Sequence, residues 1–195
     1  MVSSSDQYWP LQPRFVPIPE VFHALEHDGP FRNCLRCGGD LLLAERYLIE
    51  RVFKGTEPIV EYAMCNVCVE SESQGLSPES LENVRQHFLH HLDVQSRVDQ
   101  LRPLLQQGDV TAWLNNCLFT GQAAEDCRER QICGWCEGDQ LRLDYSPFML
   151  CGQAVEEIAG QLSEQTRGWM QDFVGENFGL PSEFCDNPDM LPLLI

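Results

Sequence analysis

The feature that most constrains this chain is the arrangement of four cysteines in two pairs. Two residues separate Cys34 from Cys37, two separate Cys65 from Cys68, and 27 residues lie between the pairs. Two cysteines at this spacing can direct both sulfur atoms at one ion from a tight turn. Four thiolates in a tetrahedral arrangement suit Zn²⁺. The spacing therefore predicts one zinc ion bound by these four residues.

The cysteine content favours a metal site over disulfide bonds. The chain has ten cysteines in 195 residues, and its first residues carry no basic segment followed by an apolar run. Because no stretch is long enough to cross a bilayer either, we expect a cytoplasmic protein with reduced thiols. A redox-active Cys-x-x-Cys sequence is the alternative, but such motifs are typical of βαβ settings, which this pattern lacks.

The charge balance limits the class of partner. The chain has 13 basic and 30 acidic residues, which gives a formal net charge of −17. Binding to nucleic acid depends on lysine and arginine side chains that neutralise phosphates. We therefore expect no binding to nucleic acid or to a membrane, and we expect any partners to be proteins. The acidity itself is typical of a well-solvated surface.

The residues between the two cysteine pairs predict a β-hairpin. Gly38 and Gly39 allow the backbone to turn beneath a metal ion. An apolar stretch to Phe53, a turn at residues 54–58 and a returning strand at residues 59–62 would bring the second pair beside the first. This pattern, over residues 31–72, resembles the zinc-ribbon and treble-clef group of modules. The resemblance implies a zinc knuckle, a hairpin, and a helix that begins at the second pair.

Comparison of the sequence with itself predicts a second copy. Residues 34–42 align with residues 133–141 at a spacing of 99, and residues 65–77 align with residues 151–163 at a spacing of 86. The difference implies a shorter second hairpin, since a deletion at a hairpin tip is readily accommodated. In both copies a serine precedes the expected helix, as an N-cap residue does. We expect the first helix to end near Pro103 and the second at Gly179.

The predicted second metal site is incomplete, because Ala154 stands where the first copy has Cys68. Its remaining cysteines are Cys133, Cys136 and Cys151. Another thiol could complete the set; the candidates are Cys127, which is nearest in sequence, Cys117 and Cys185. Alternatively, water could take the fourth position, as in catalytic zinc sites, or the site could be empty with its thiols buried as small apolar groups.

Three histidines add a further possibility. His87, His90 and His91 are expected on one helix, and the first and last of them are four residues apart. Residues at that spacing lie on the same face of a helix and could bind one metal ion together. Solvated histidines are the more usual outcome. If the histidines do bind, a transferable ion such as nickel or copper is conceivable.

These observations predict an α+β fold with two related zinc-ribbon or treble-clef-like units, the second with an incomplete metal site. The expected divisions are a proline-rich N-terminal strap, 1–30; the first unit with its helices, 31–107; a linker helix and the second unit, 108–180; and an apolar C-terminal tail, 181–195.

The function expected from the sequence is a structural-zinc scaffold for protein–protein interaction, with one Zn²⁺ and a possible second. One alternative is a metal chaperone or sensor with an exchangeable second site. Another is an enzyme with an open three-thiolate zinc, assisted by Glu129 or Glu137. A thiol redox switch is a weaker alternative. No nucleophile elbow, phosphate loop or dinucleotide fingerprint is present, so the sequence favours a role other than catalysis.

Overall fold

A computed structural model describes residues 13–107 and 109–179 of the chain. These residues form a mixed α+β structure with a six-stranded antiparallel sheet and six helices, which confirms the predicted fold class at that level. Residues 1–12 of the expected strap and the whole expected tail, 181–195, lie outside the described residues.

The elements follow the chain in two series, each with strands first and helices afterwards. The strands are β1 (Arg14–Pro17), β2 (Tyr47–Lys54), β3 (Glu57–Cys65), β4 (Glu129–Glu137), β5 (Gln140–Leu143) and β6 (Phe148–Cys151). The helices are α1 (Asn66–Ser73), α2 (Pro78–His91), α3 (Val94–Gln107), α4 (Thr111–Leu114), α5 (Gly152–Ala159) and α6 (Glu164–Phe178). Short 3-10 turns at Leu41–Leu43 and Ala124–Asp126 precede β2 and β4.

Strands β2 and β4 lie inside the sheet and pair with each other. The other edge of β2 pairs with β3, which confirms the predicted hairpin, and its turn contains Gly55 at a φ of 62°. The other edge of β4 pairs with both β5 and β6, at opposite ends of the strand. β1 pairs with β5, so part of the expected N-terminal strap adds a strand to the edge of the sheet.

Strand β2 is buried along nearly its whole length, including two charged residues. Glu50 accepts a hydrogen bond of 2.7 Å from the Tyr62 hydroxyl, and Arg51 forms an ion pair of 2.9 Å with Glu61. Arg51 also donates to the main-chain oxygen of Val21. Buried charges need such partners, because desolvation otherwise makes them costly. These contacts hold the residues before the first cysteine pair against the sheet.

The helices confirm the predicted caps and correct one predicted boundary. The side chains of Ser77 and Ser163 accept hydrogen bonds from the third residues of α2 and α6. Gly179, whose φ is 60°, is the C-cap residue that terminates α6. The prediction that one helix runs from residue 78 to near Pro103 is wrong. α2 ends at His91, and the Asp93 carboxylate accepts a hydrogen bond from a backbone N–H in the first turn of α3. A separate helix, α3, therefore starts at Val94. Pro103 lies inside this helix and does not end it.

The turn of the first cysteine pair recurs at residues 116–121. The Gly38 N–H donates to the Cys34 carbonyl at 2.9 Å, and the Gly121 N–H donates to the Cys117 carbonyl at 3.0 Å. Both glycines have left-handed backbones, with φ of 69° and 70°. The asparagine before each cysteine donates its side-chain amide to the glycine carbonyl, at 3.0 Å in both turns. The corresponding residues are therefore 83 positions apart.

Contacts between the two series are reciprocal. In the β2–β4 pairing, Glu50 lies opposite Cys133. Cys133 also follows Glu50 by 83 positions, the same spacing that relates the two glycine turns. The Ser77 N–H donates to Thr166 Oγ1 at 2.9 Å, and the Ser163 N–H donates to Ser80 Oγ at 2.9 Å. Ser163 follows Ser77 by 86 positions, and Thr166 follows Ser80 by the same number, so the two bonds are equivalent. The strand pairing and the helix caps thus follow one approximate twofold relation.

Candidate metal centre

The structure brings the sulfur atoms of Cys34, Cys37, Cys65 and Cys68 together, all within 4.8 Å of one another. The sulfurs of Cys37 and Cys65 are 4.0 Å apart. Zn–S bonds of about 2.3 Å in a tetrahedron place sulfurs about 3.8 Å apart. The cluster therefore has dimensions close to those of a four-thiolate zinc site. Cys34 is buried, Cys37 is exposed, and the other two are half-buried.

The first two sulfurs are positioned by the glycine turn. Gly38 takes a left-handed backbone with a φ of 69°, which side chains rarely adopt. At Gly39, a Cβ atom would lie 3.3 Å from the sulfur of Cys37. This second glycine therefore leaves room for the thiol. The turn is tied to the sheet by a 2.9 Å hydrogen bond from the Leu35 N–H to the carbonyl of Ala63 in β3.

The other two sulfurs come from the junction of β3 and α1. Cys65 ends the strand and is the N-cap residue of the helix, and Cys68 lies in the first helical turn. The predicted start of a helix at the second pair is thus confirmed. The Cys65 N–H donates to the sulfur of Cys34 at 3.4 Å. A helix N-terminus also favours negative charge, which suits thiolates.

The electrostatics distinguish the cysteines of the cluster. Burial raises the pKa of Cys34, but hydrogen bonds from the backbones of Cys37, Cys65 and Arg36 outweigh it and lower the pKa to about 7. Burial, followed by hydrogen bonds with the neighbouring thiols, raises the pKa of Cys68 above its usual range. The Arg36 guanidinium pairs with Glu72 on α1 and interacts favourably with negative charge on Cys68. This cation would partly balance the net negative charge of a four-thiolate zinc centre.

The prediction that Cys133 and Cys136 form a second knuckle is wrong. Both lie on β4, and residues three apart on a strand point to opposite faces of the sheet. Cys133 lies near Glu50, whereas Cys136 lies near Tyr47. Two such side chains cannot bind one ion from a turn. The 99-residue spacing therefore does not relate two knuckles. A short hairpin of β4 and β5 does follow Cys136, but it does not bring the two thiols together.

Matching backbone hydrogen bonds place Cys117, Thr120, Cys151 and Ala154 at positions that correspond to the four clustered cysteines. The Cys151 N–H donates to the sulfur of Cys117 at 3.3 Å, as the Cys65 N–H does to that of Cys34. The Thr120 hydroxyl lies 3.4 Å from the sulfur of Cys151. Two thiols, a hydroxyl and a methyl group stand where the first group has four thiols. The sequence signal for this alignment was the shared Asn-Cys-Leu-x-x-Gly pattern at residues 33–38 and 116–121.

Of the quartet predicted for a second site, only Cys127 and Cys151 approach each other. Burial, and then negative charge on Cys151 and Cys117, raises the pKa of Cys127 to about 11. Its thiol donates to the carbonyl of Ala123 at 3.3 Å. Among the residues that the structure describes, these cysteines do not form a group of three or more with metal-site spacing. Cys185, the remaining candidate, lies outside those residues.

A different group of potential ligands does form. His87 and His91 meet Glu157 of α5, with their ligand atoms within 4.8 Å of one another. The histidine pair was a candidate from its spacing, whereas the glutamate was missed. Its contact with the histidines depends on the packing of two helices from different halves, which no local pattern reveals.

Comparison with models of protein families, with curated proteins and with solved structures finds no match for this chain. In the part of the chain that the structure describes, no helix combines the length and apolar character needed to cross a bilayer. The function must therefore be inferred from the geometry of the chain itself.

Proposed function

We propose that the chain is a structural zinc protein whose four-cysteine cluster binds one Zn²⁺ and fixes a surface for a protein partner. The convergence of the four sulfur atoms within 4.8 Å carries this proposal. Four protein ligands fill a tetrahedral zinc site and leave no position for water or substrate, which favours a structural role over catalysis. Reduced thiols are required, so a cytoplasmic location fits the proposal.

The two series of elements are, in this proposal, copies of one treble-clef-like unit. The repeated glycine turns, the symmetric strand pairing and the reciprocal helix caps support a duplication. The second copy has Thr120 and Ala154 in place of two ligands, so it holds no zinc of this kind. Its centre is instead stabilised by burial, since Cys117, Cys151 and Ala154 are at most 3% exposed.

The proposed partner surface lies beside the cysteine cluster. Leu43 is 85% exposed and Val67 is 67% exposed, and both line a hollow that also contains Cys37 and Cys65. Exposed apolar side chains grouped in this way are typical of protein-binding sites. Asp40 and Glu45 contribute negative charge to the same hollow. A partner with an apolar anchor and a basic rim would complement this surface.

Metal handling is a second candidate, because Cys37 is exposed and would make the zinc accessible to an acceptor. The alternative of an enzyme with three thiolates and an open position loses its support. That site required Cys133 and Cys136 to face the same ion, and they lie on opposite faces of β4.

The decisive test compares two serine variants by zinc analysis and thermal unfolding. After a wash with a weak chelator, we expect one zinc per chain in the wild type and none in Cys37→Ser, together with a lower melting temperature. Because Cys37 is exposed, lost packing would not explain that effect. Cys127→Ser is the matched control, since serine can still donate to the Ala123 carbonyl. Zinc that stays fully bound in Cys37→Ser would overturn the proposal.

A further inference from the structure

A second cluster of ligands lies where the two halves of the chain pack together. His87 and His91 are one turn apart on α2, and Glu157 reaches them from α5. One ligand atom from each residue lies within 4.8 Å of the others. The two imidazole rings are 4.1 Å apart between centroids. Two neutral imidazoles and a carboxylate are a ligand set that binds zinc and related divalent ions.

A hydrogen bond to the backbone holds the His91 ring in place. Its Nδ1–H donates to the main-chain carbonyl of His87 at 2.9 Å, because a carbonyl oxygen can only accept. In the neutral ring the proton is therefore on Nδ1, and Nε2 carries the lone pair that a metal ion can bind. Metal-binding histidines usually make this kind of hydrogen bond through their second nitrogen, which fixes both the tautomer and the ring.

His87 and Glu157 are also held in place. The Nε2 atom of His87 is buried and has no hydrogen-bond partner within the described residues, a costly arrangement that a bound ligand would relieve. The Phe119 ring packs edge-on against the His87 ring at 5.4 Å between centroids. The side-chain amide of Gln153 donates to Glu157 Oε1 at 2.9 Å and orients the carboxylate.

We propose that His87, His91 and Glu157 form an exchangeable site for a divalent transition-metal ion, separate from the cysteine cluster. Three protein ligands leave positions for water, and His91 is exposed, so an ion can enter and leave. The site is not a remnant of duplication. The counterparts of the two histidines 86 positions later on α6 are Phe173 and Asn177, which do not supply such ligands.

The test titrates the full chain, with its cysteine cluster already loaded with zinc, with additional Zn²⁺ by calorimetry. We expect one further equivalent that a weak chelator removes. In His91→Ala and in Glu157→Gln, affinity for that equivalent should fall by about tenfold or more, because loss of even a hydrogen-bond partner of a ligand typically costs that much. The matched control is His90→Ala, which removes a neighbouring exposed histidine outside the group and should leave the affinity unchanged.

Nitrogen NMR of the histidine rings gives an independent readout. Added Zn²⁺ should shift a ring nitrogen of His87 and of His91 but not those of His90. Absence of the extra equivalent, or an equal loss of affinity in His90→Ala and His91→Ala, would overturn the proposal. The result is distinguishable from that for the cysteine centre, whose zinc is expected to resist the weak chelator and to be lost in Cys37→Ser, whereas the further equivalent is expected to persist in that variant.

Discussion

At the scale of single residues, the two Cys-x-x-Cys sequences show how context decides the role of a thiol. Cys133 and Cys136 are buried in the sheet. Burial raises the pKa of both thiols, that of Cys136 to about 12, although a hydrogen bond with Tyr47 acts in the opposite direction. Both are therefore neutral thiols at neutral pH, and they act as small apolar side chains of the core.

The raised pKa of Cys136 predicts a specific loss of stability in alkali. Below pH 9.0 the thiol is protonated in both the folded and the unfolded chain; above it, the unfolded chain loses the proton first. The free energy of unfolding should therefore fall between pH 9.0 and about 12, by about 1.4 kcal/mol per pH unit from this group. Urea unfolding at several pH values should give a shallower fall for Cys136→Ala than for the wild type.

The control for this prediction is Val155→Ala, which also removes buried volume but no titrating group. It should lower the free energy of unfolding at every pH and keep the slope of the wild type. Equal slopes for Cys136→Ala and the wild type would contradict the assigned role of this thiol.

Cysteine spacing correctly identified the four-cysteine cluster, but it did not identify the residues that correspond to that cluster in the second half of the chain. Cys34, Cys37, Cys65 and Cys68 could be predicted to meet because a glycine turn and a hairpin, both local features, bring them together. The pair Cys133 and Cys136 has the same spacing, yet pairing of β4 with β2 makes it a strand. That pairing depends on residues far away in sequence, so spacing alone could not reveal it.

At the scale of elements, the caps of α2 and α6 join the two halves. Each N-cap serine binds the first turn of its own helix, and its N–H donates to a hydroxyl of the other helix. The two accepting residues, Ser80 and Thr166, are at most 1% exposed. Sequence predicted the caps themselves, because Ser-Pro and similar starts are local signals. The hydrogen bonds between the two helices depend on how the helices pack, which the sequence does not reveal.

Thr166→Val should reveal the strength of this connection. Valine keeps the volume of threonine but removes the oxygen that accepts from the Ser77 N–H. A buried donor without a partner costs about 1–3 kcal/mol, so the free energy of unfolding should fall by about that amount. Ser73→Ala is the control, because its hydroxyl makes an exposed hydrogen bond, and we expect a loss of about 0.5 kcal/mol or less. Similar losses in the two variants, measured by urea unfolding, would contradict this role for the caps.

At the scale of the whole molecule, an approximate twofold relation connects the half that contains the four-cysteine cluster with a half that has Thr120 and Ala154 at two of the corresponding positions. The pairing of Glu50 with Cys133 lies at the centre of this relation. The backbone turn around Cys117 has the shape of the turn around Cys34, although Thr120 stands where the first turn has Cys37. The turn at residues 116–121 thus forms without a second cysteine, and Cys117 and Cys151 are buried beside it.

If the two halves are copies, restoring the two lost ligands should restore a zinc site. In the double variant Thr120→Cys/Ala154→Cys, the new thiols join Cys117 and Cys151, whose backbone bond matches that of Cys65 and Cys34. We expect zinc resistant to a weak chelator to rise from one to two per chain, and the thiolate absorption of the Co²⁺-substituted protein to roughly double in proportion to the sites. The control, Thr120→Ser/Ala154→Ser, adds polar groups of similar size without thiols and should bind one. Equal zinc content in the two double variants would show that the halves do not share a common metal-binding geometry.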